Sequence, residues 1–159
     1  MSIEQALLRL ELQTLLDDYV AAIDQDRVEA WPDFFVEEGL YEIVPKENED
    51  MGLQIGIIRC ENRAMMRDRV VSLRNANIFA PATYRHFLSG FRLHAADGDA
   101  AEFSCNYLVI NSDQMGTSIV YQTGRYQDRA VRTAEGWRFV SKRAIYDTSR
   151  VQTLLAIPV

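Results

Sequence analysis

Two histidines are the residues of this chain whose chemistry best suits metal binding or proton transfer at neutral pH. His86 and His94 lie eight positions apart in a strand-like stretch, and eight steps of ~3.3 Å would separate them by about 26 Å. A Rieske cluster needs two cysteines and two histidines close together, yet neither Cys60 nor Cys105 has a histidine two positions on. A two-histidine, one-carboxylate iron site would use both histidines. The sequence therefore predicts no metal site in this chain.

Acid–base catalysis is the enzymatic alternative, and His86 with Asp18 and Tyr126 is the set of residues that could perform it. A buried carboxylate whose pKa is raised can drive enolisation or dehydration beside a tyrosine. Other polar residues expected near the same pocket are Tyr19, Asp33 and Tyr146. Alternatively, His86 is a satisfied interior or interface histidine beside Arg85. No motif fixes the geometry, so both interpretations stay open.

Other classes of function are disfavoured by composition. The chain has 159 residues and a net charge of −6, which fits one domain over residues 1–159 and opposes binding to nucleic acid or to an anionic membrane. There is no G-x-S-x-G elbow and no phosphate loop. Cys60 and Cys105 lie far apart, and the charged N-terminus lacks the pattern of a signal peptide, so we expect a reduced, cytoplasmic protein.

The elements that must position these residues change in type along the chain. Apolar residues from Ile3 to Ile23 recur at three- and four-residue steps and predict an amphipathic helix of roughly five or six turns. A short helix near Pro32, a strand at "LYEIVP" and a helix at "RCENRAMMRDRVVSLRNAN" follow. Four strand-like stretches separated by turn signals complete the chain. Helices followed by an antiparallel meander predict an α+β cone, with the N-terminal helices packed on a strongly curved, mostly antiparallel sheet.

Three features could form interfaces or line the interior of the cone. Trp31, Phe34 and Phe35 occupy the corner between the helices and the sheet, where a core role is favoured over ligand binding. Arg59, Arg63 and Arg67 recur every four residues on what is predicted to be one face of the third helix. They are either a solvated face balanced by acids such as Glu61 and Asp68, or a stripe that pairs with an acidic partner surface. The apolar tail "SRVQTLLAIPV" folds back on its own sheet or lies against another chain.

Three segments together resemble the small, or beta, subunits of aromatic-ring-hydroxylating dioxygenases, most closely those of the terephthalate and salicylate type. They are "AIDQDRVEAWPDFFVEEGLYEIVPKEN", "MMRDRVVSLRNANIFAPATYRHFLSGFRL" and "VSKRAIYDTSRVQTLLAIPV". The similarity runs over nearly the whole chain. It rests on the order and spacing of the segments, since no single motif is diagnostic.

The resemblance implies the nuclear-transport-factor-like cone that scytalone dehydratase shares. It also implies a non-catalytic structural subunit with no cofactor of its own. The partner alpha subunit would carry a Rieske 2Fe-2S cluster and a mononuclear iron, usually with three alpha and three beta subunits, and a homotrimer of this chain is expected. The complex would hydroxylate an aromatic substrate, most plausibly an aromatic carboxylate, using oxygen and electrons from NAD(P)H.

The resemblance carries over no catalytic residue. Our own candidates for interface residues are Trp31, Arg59, Arg63, Arg67, His86, Arg150, Leu154 and Leu155. Two rival hypotheses stay open. One is a stand-alone cone-fold dehydratase or isomerase that uses His86 with an Asp and a Tyr; it requires an open pocket where a carboxylate reaches His86. The other is a small-ligand binding domain, which requires an open apolar pocket without such a pair.

Overall fold

The N-terminal helix begins at a complete capping box. A computed structural model of the chain describes residues 1–53, 55–75, 81–147 and 157–159. The Ser2 side chain accepts a hydrogen bond from the backbone N–H of Gln5 at 3.1 Å, and the Gln5 side chain accepts one from the N–H of Ser2 at 2.9 Å. From this start the helix α1 runs over Ile3–Asp24, as the apolar periodicity predicts.

The remaining elements follow the predicted order, with additions. A 3₁₀-helix over Val28–Phe34 contains Pro32 and leads directly into the first strand. The other helices are α2 (Lys46–Asp50) and α3 (Arg63–Asn75). The strands are β1 (Phe35–Pro45), β2 (Ile58–Cys60), β3 (Ala82–Asp97), β4 (Ala100–Asp113), β5 (Ser118–Thr133) and β6 (Gly136–Tyr146).

One sheet of six strands has the order β2-β1-β6-β5-β4-β3. The last four strands form the predicted antiparallel meander. The first long strand, β1, pairs in parallel with β6, so that Tyr41 lies opposite Lys142. Helix α1 packs across β3 and β6, and this arrangement confirms the predicted α+β class.

Two glycines allow the sheet to curve. Gly90 has a φ of +65° and lies where the pairing of β3 with β4 shifts register between Ser89 and Arg92, and a glycine in the middle of a strand favours such a bend or bulge. Gly124 lies where β5 approaches β6 closely. A Cβ at Gly124 would stand 2.1 Å from the carbonyl oxygen of Ile145, so this contact requires glycine.

The structure corrects four local predictions. The polar segment from Lys46 to Asp50, which the sequence predicts as a loop or a frayed hairpin, is a short helix. Its helical character was not visible in the sequence because the segment is too polar to show a periodicity. Arg59 lies in the short strand β2, so it cannot share a face of α3 with Arg63 and Arg67. Gly39, which the sequence predicts as a break between the short helix and the strand at "LYEIVP", lies inside β1 at an irregularity in its pairing with β6. The apolar positions of α1 do not form one stripe, since Ile3, Leu7 and Leu10 are exposed.

None of the helices in the described part of the chain combines the length and the apolar character needed to cross a bilayer. Cys60 and Cys105 are both buried as free thiols.

Candidate functional site

The concave side of the sheet and helix α1 enclose an interior filled with aromatic side chains. Trp31 is fully buried and meets the Tyr41 ring edge to face, with the ring centroids 4.9 Å apart. Phe35, also buried, lies 6.1 Å from Trp31 by the same measure. Phe34 is partly buried and packs against the Tyr19 ring. The core interpretation of this corner is therefore confirmed.

A chain of hydrogen bonds fixes the C-terminal residue inside this aromatic cluster. The indole N–H of Trp31 donates to the Tyr19 hydroxyl at 3.2 Å, and that hydroxyl donates to the carbonyl oxygen of Val159 at 3.0 Å. The Tyr41 hydroxyl accepts from the Val159 N–H at 2.9 Å and donates to the same carbonyl. The hydroxyls of Tyr19 and Tyr41 are thus satisfied by the chain itself, as most buried polar groups are.

A buried ion pair stands at the centre of the interior. Lys142 on β6 and Asp128 on β5 are cross-strand partners, and the Lys142 Nζ lies 2.9 Å from Asp128 Oδ2. Both side chains have no exposed surface. The ammonium lies 3.5 Å from the centroid of the Tyr126 ring, 4.6 Å from that of Tyr19 and 4.7 Å from that of Phe139. Three rings therefore form an aromatic cage around the chain's own cation.

Burial changes the proton affinity of the groups in this cage. It raises the pKa of Asp128 to about 6, against the opposing attraction of Lys142. Burial likewise lowers the pKa of Lys142, and the charge of Asp128 opposes that shift. It raises the pKa of the Tyr126 hydroxyl far above its usual value and that of the Cys105 thiol to about 12. The phenol and the thiol are therefore neutral near pH 7, so neither serves as a ready base or nucleophile.

His86 finds a carboxylate partner, but it is Asp24 and not Asp18. Its Nδ1 lies 2.6 Å from one carboxylate oxygen of Asp24, and its backbone N–H donates to the other at 2.8 Å. The His86 side chain is 1% exposed, and its Nε2 is buried without a hydrogen-bond partner among the described residues. The aspartate at the end of α1 thus ties that helix to β3.

The other residues of the predicted acid–base set do not meet His86. Asp18 lies on the exposed side of α1, and Asp33 binds Arg63 at the surface. Tyr126 lies in the cage, stacked on Tyr107 with the ring centroids 4.5 Å apart. The sequence could not distinguish Asp18 from Asp24, because both lie among the apolar residues of α1 and nothing local shows which one faces β3.

Replacing Asp24 by alanine is expected to lower the free energy of unfolding by about 1–3 kcal/mol. The change leaves a buried imidazole nitrogen and a buried backbone N–H without an acceptor. Asp18→Ala is the matched control, because it makes the same substitution on an exposed turn of the same helix and should change stability by about 0.5 kcal/mol or less. Urea denaturation followed by circular dichroism measures both. Equal losses in the two variants would show that Asp24 does not anchor His86.

The arginines chosen as interface candidates pair with acids of their own chain. Arg59 binds Glu42 and Glu61, and Arg63 binds Asp33 and Glu37. Arg67 reaches Glu37 at 3.7 Å. The three arginines are thus balanced by acids of their own chain, as the interpretation as solvated residues requires. Of the two acids expected to balance them, only Glu61 does so in the described part of the chain. Their interface role stays a prediction.

The remaining interface candidates lie inside the chain or outside the described residues. The side chains of Trp31 and His86 are both buried, so a partner could reach them only through their neighbours. Arg150, Leu154 and Leu155 fall within residues 148–156, outside the described residues. The end of the tail does fold back on its own chain, since Ile157 and Val159 pack against the core.

The two histidines are not brought together. His94 is exposed, and its Nε2 lies 2.7 Å from the Ser104 hydroxyl, whereas His86 faces α1. Within the described ranges, no three side chains among His, Cys, Asp and Glu cluster in a way that could hold a metal ion.

Several surface cavities among the described residues lie outside this cage, and two of them border β3. One of about 250 Å³ lies beside α1 and β3, with the Asp17 and Cys105 side chains among its lining. Another of about 420 Å³ lies along β3, β4 and β5, with Phe87, Asn106 and Arg125 in its lining. His86 lines neither.

Comparisons with known proteins show the family to which the chain belongs. Residues 4–143 match the model of the SnoaL-like domain. The chain is 51% identical to the anthranilate 1,2-dioxygenase small subunit of Burkholderia cepacia over 149 residues, which cover 94% of this chain and 92% of that protein. It is 31% identical to the beta 2 subunit of the terminal oxygenase component of terephthalate 1,2-dioxygenase from a Comamonas species, over 88% and 91% of the two chains.

Comparison with solved structures supports the same family. The crystal structure assigned as the beta subunit of an aromatic-ring-hydroxylating dioxygenase of Novosphingobium aromaticivorans superposes with a TM-score of 0.89, at 32% identity over 99% of this chain and 100% of that one. A structure assigned as a scytalone dehydratase from the same organism shares the fold with a TM-score of 0.75, at 14% identity over 99% and 95%. The chain belongs to the SnoaL-like family and, within it, to the small subunits of aromatic-ring-hydroxylating dioxygenases.

Proposed function

We propose that this chain is a non-catalytic structural subunit that assembles with an iron-bearing alpha subunit to hydroxylate an aromatic carboxylate. The observation that carries the structural role is the occupied cage. Cone-shaped domains that act on small molecules need an open interior, but here Lys142 fills the space between the rings of Tyr19, Tyr126 and Phe139. The phenol and thiol groups around it are held neutral by burial.

The cofactors of the reaction belong, in this proposal, to the partner. A Rieske 2Fe-2S cluster and a mononuclear iron in the alpha subunit would pass electrons to oxygen and activate it. His86 is committed to Asp24, and His94 lies on the opposite part of β3 next to Ser104. The described residues of this chain are therefore poorly arranged to supply ligands to either centre.

An anthranilate-like substrate is the specific form of the proposal. Its support is the relative at 51% identity, an anthranilate 1,2-dioxygenase small subunit, whereas the terephthalate 1,2-dioxygenase relative matches at 31%. Both names denote oxygenases of aromatic carboxylates. The small subunit would support this reaction by holding the catalytic subunits in place.

Three alpha and three beta subunits form the proposed assembly, with a trimer of this chain at its base and a location in the cytoplasm. Support for association comes from large apolar side chains that stay exposed on the folded chain. Phe87 and Val120 on the outer face of the sheet are 55% and 51% exposed. Exposed apolar surface of this kind drives association into closed, symmetric oligomers.

Co-expression with the alpha subunit tests the proposal. The purified complex should contain both chains in equal number, all of its iron should disappear when alpha is omitted, and anthranilate should stimulate oxygen consumption when NADH and the reductase are present. Alpha expressed without this chain is the control, and it should be poorly soluble or poorly active. A chain that stays separate from alpha at micromolar concentrations contradicts the structural role.

One observation favours a second candidate function, a dehydratase or isomerase that abstracts a proton with His86. The pair of His86 and Asp24 has the geometry of a general base and the carboxylate that orients it. Burial opposes this function, because the side chain is 1% exposed and lines neither cavity described above. We therefore assign the pair a structural role.

A further inference from the structure

Helix α1 carries a second apolar stripe that its own fold does not use. Ile3, Leu7 and Leu10 are 80%, 56% and 61% exposed, although each is a large aliphatic residue on a regular helix. Single exposed aliphatic residues need no explanation, but three in register on adjacent turns do. We name these three residues the α1 seam.

The seam lies on the side of α1 opposite to the sheet. At 100° per residue, its centre is roughly 150° around the helix from that of the core-facing residues. Those residues are Leu8, Leu12, Leu15, Leu16 and Tyr19, of which the last four are buried. The seam is therefore not the edge of the face that packs on the sheet, and the fold of this chain gives no reason for it.

The spacing of the seam is that of a helix–helix contact. Ile3, Leu7, Leu10 and then Thr14 follow at steps of four, three and four residues, which is the alternation of the two core positions in a heptad. A narrow stripe with this spacing suits one facing helix or a groove of similar width.

The charges beside the seam select the partner. Glu4, Glu11, Asp17 and Asp18 are all exposed, and in the described part of the chain only Glu11 of these four forms a salt bridge, with Arg132. Helix α1 contains five acidic residues and a single basic one, Arg9. Two copies of α1 side by side would place like charges against each other, which opposes a contact between two α1 helices.

We propose that the α1 seam is the docking site for the alpha subunit of the proposed oxygenase, which would present an apolar helix or groove flanked by lysine or arginine. This inference rests on the proposed function, because it names the surface through which that assembly forms. Burying the seam would remove Ile3, Leu7 and Leu10 from water, and the basic flank would pair with Glu4 and Asp18.

The test compares two double variants of the full chain for binding to the purified alpha subunit by calorimetry. Leu7→Gln/Leu10→Gln removes the seam without touching the core. Val71→Gln/Met115→Gln is the matched control, since these residues are 59% and 90% exposed on other parts of the surface. We expect the seam variant to bind at least tenfold more weakly than the unmodified chain, and the control to bind as the unmodified chain does. Circular dichroism should show the same helix content in all three.

A charge variant, Glu4→Gln/Asp18→Asn, tests the basic flank. It should slow association severalfold at low salt and reduce the dependence of binding on ionic strength, because electrostatic attraction acts mainly on the association rate. If the dependence of binding on salt does not change, the inference that the partner surface is basic is wrong.

Three results would overturn the inference in distinguishable ways. If the unmodified chain binds alpha and the seam variant binds equally well, the seam is not the docking site. If the seam variant loses association with its own copies but keeps alpha, the seam belongs to a contact between copies. If the unmodified chain does not bind alpha at all, the proposed function fails and this inference fails with it.

Discussion

Trp31→Ala should lower the free energy of unfolding by about 3–5 kcal/mol, the range for removing a fully buried tryptophan. The indole is 0% exposed and makes edge-to-face contacts with Tyr41 and Phe35. Its loss leaves a cavity and takes a donor from the Tyr19 hydroxyl. For a chain of this length, the midpoint of thermal unfolding should fall by roughly 6–20 °C.

Trp31→Phe separates the two contributions. It keeps most of the ring contact and removes the indole N–H, so the loss should be smaller, about 1–2 kcal/mol. The chain has two tryptophans, so Trp137 remains as a fluorescent reporter in both variants. If Trp31→Ala unfolds within about 1 kcal/mol of the unmodified chain, the aromatic corner is not the main core of the cone.

The corner illustrates what the sequence could predict. Trp31, Phe34 and Phe35 lie at the end of a helical pattern, and large apolar residues at such a boundary have few places to go except the core. The four strands of the meander were equally clear, because each is long and ends at a turn signal such as Asp97-Gly98-Asp99. The prediction from local sequence agrees with the structure where the residues of one element are enough to show which of its side chains are buried.

Features that depend on distant pairing were not visible. The strand β2 has three residues, too few for any periodicity, and forms because its backbone pairs with β1. The parallel pairing of β1 with β6 joins residues about a hundred positions apart. Likewise, Lys142 reads as an ordinary surface residue in "SKRAIY", and only its register opposite Asp128 and Tyr41 shows that it points inward.

The exposed half of α1 is a different kind of failure. Ile3, Leu7 and Leu10 were assigned to the same apolar face as Leu15 and its neighbours, because three- and four-residue steps fit either stripe. Two stripes on one helix cannot be separated by counting steps. They separate only when the structure shows which one packs on the sheet, and the surplus stripe then becomes evidence for a partner.

The buried ion pair gives a second prediction with an effect as large as that of Trp31→Ala. Lys142→Met should destabilise the chain by about 3–5 kcal/mol near pH 8, because it leaves the carboxylate of Asp128 buried without its counter-ion. The aromatic contacts of the side chain would survive in part, since methionine has a similar length and also packs against rings. Chemical denaturation measures the loss.

Acid should relieve this defect, and the sign follows from the pKa of Asp128. Burial raises that pKa to about 6 with Lys142 present, and removing the ammonium raises it further, against about 3.9 for an unfolded aspartate. Between these values the folded chain binds more protons than the unfolded one, so stability falls as the pH rises. The contribution of a protonated Asp128 is complete below about pH 4 and is lost as the pH rises through the folded value. Lys142→Met should therefore cost less stability at pH 5 than at pH 8.

The double variant Lys142→Met/Asp128→Leu tests whether the unpaired charge of Asp128 causes the loss of stability. Removing both charges abolishes the unpaired carboxylate, and apolar replacements of buried ion pairs are often neutral or stabilising. Asp128 Oδ1 already has no hydrogen-bond partner among the described residues, so little is lost with it. The double variant should regain most of the stability and show no excess pH dependence. If it is as unstable as Lys142→Met at every pH, packing of the lysine stem against the cage matters more than its charge, and the electrostatic account of the interior is wrong.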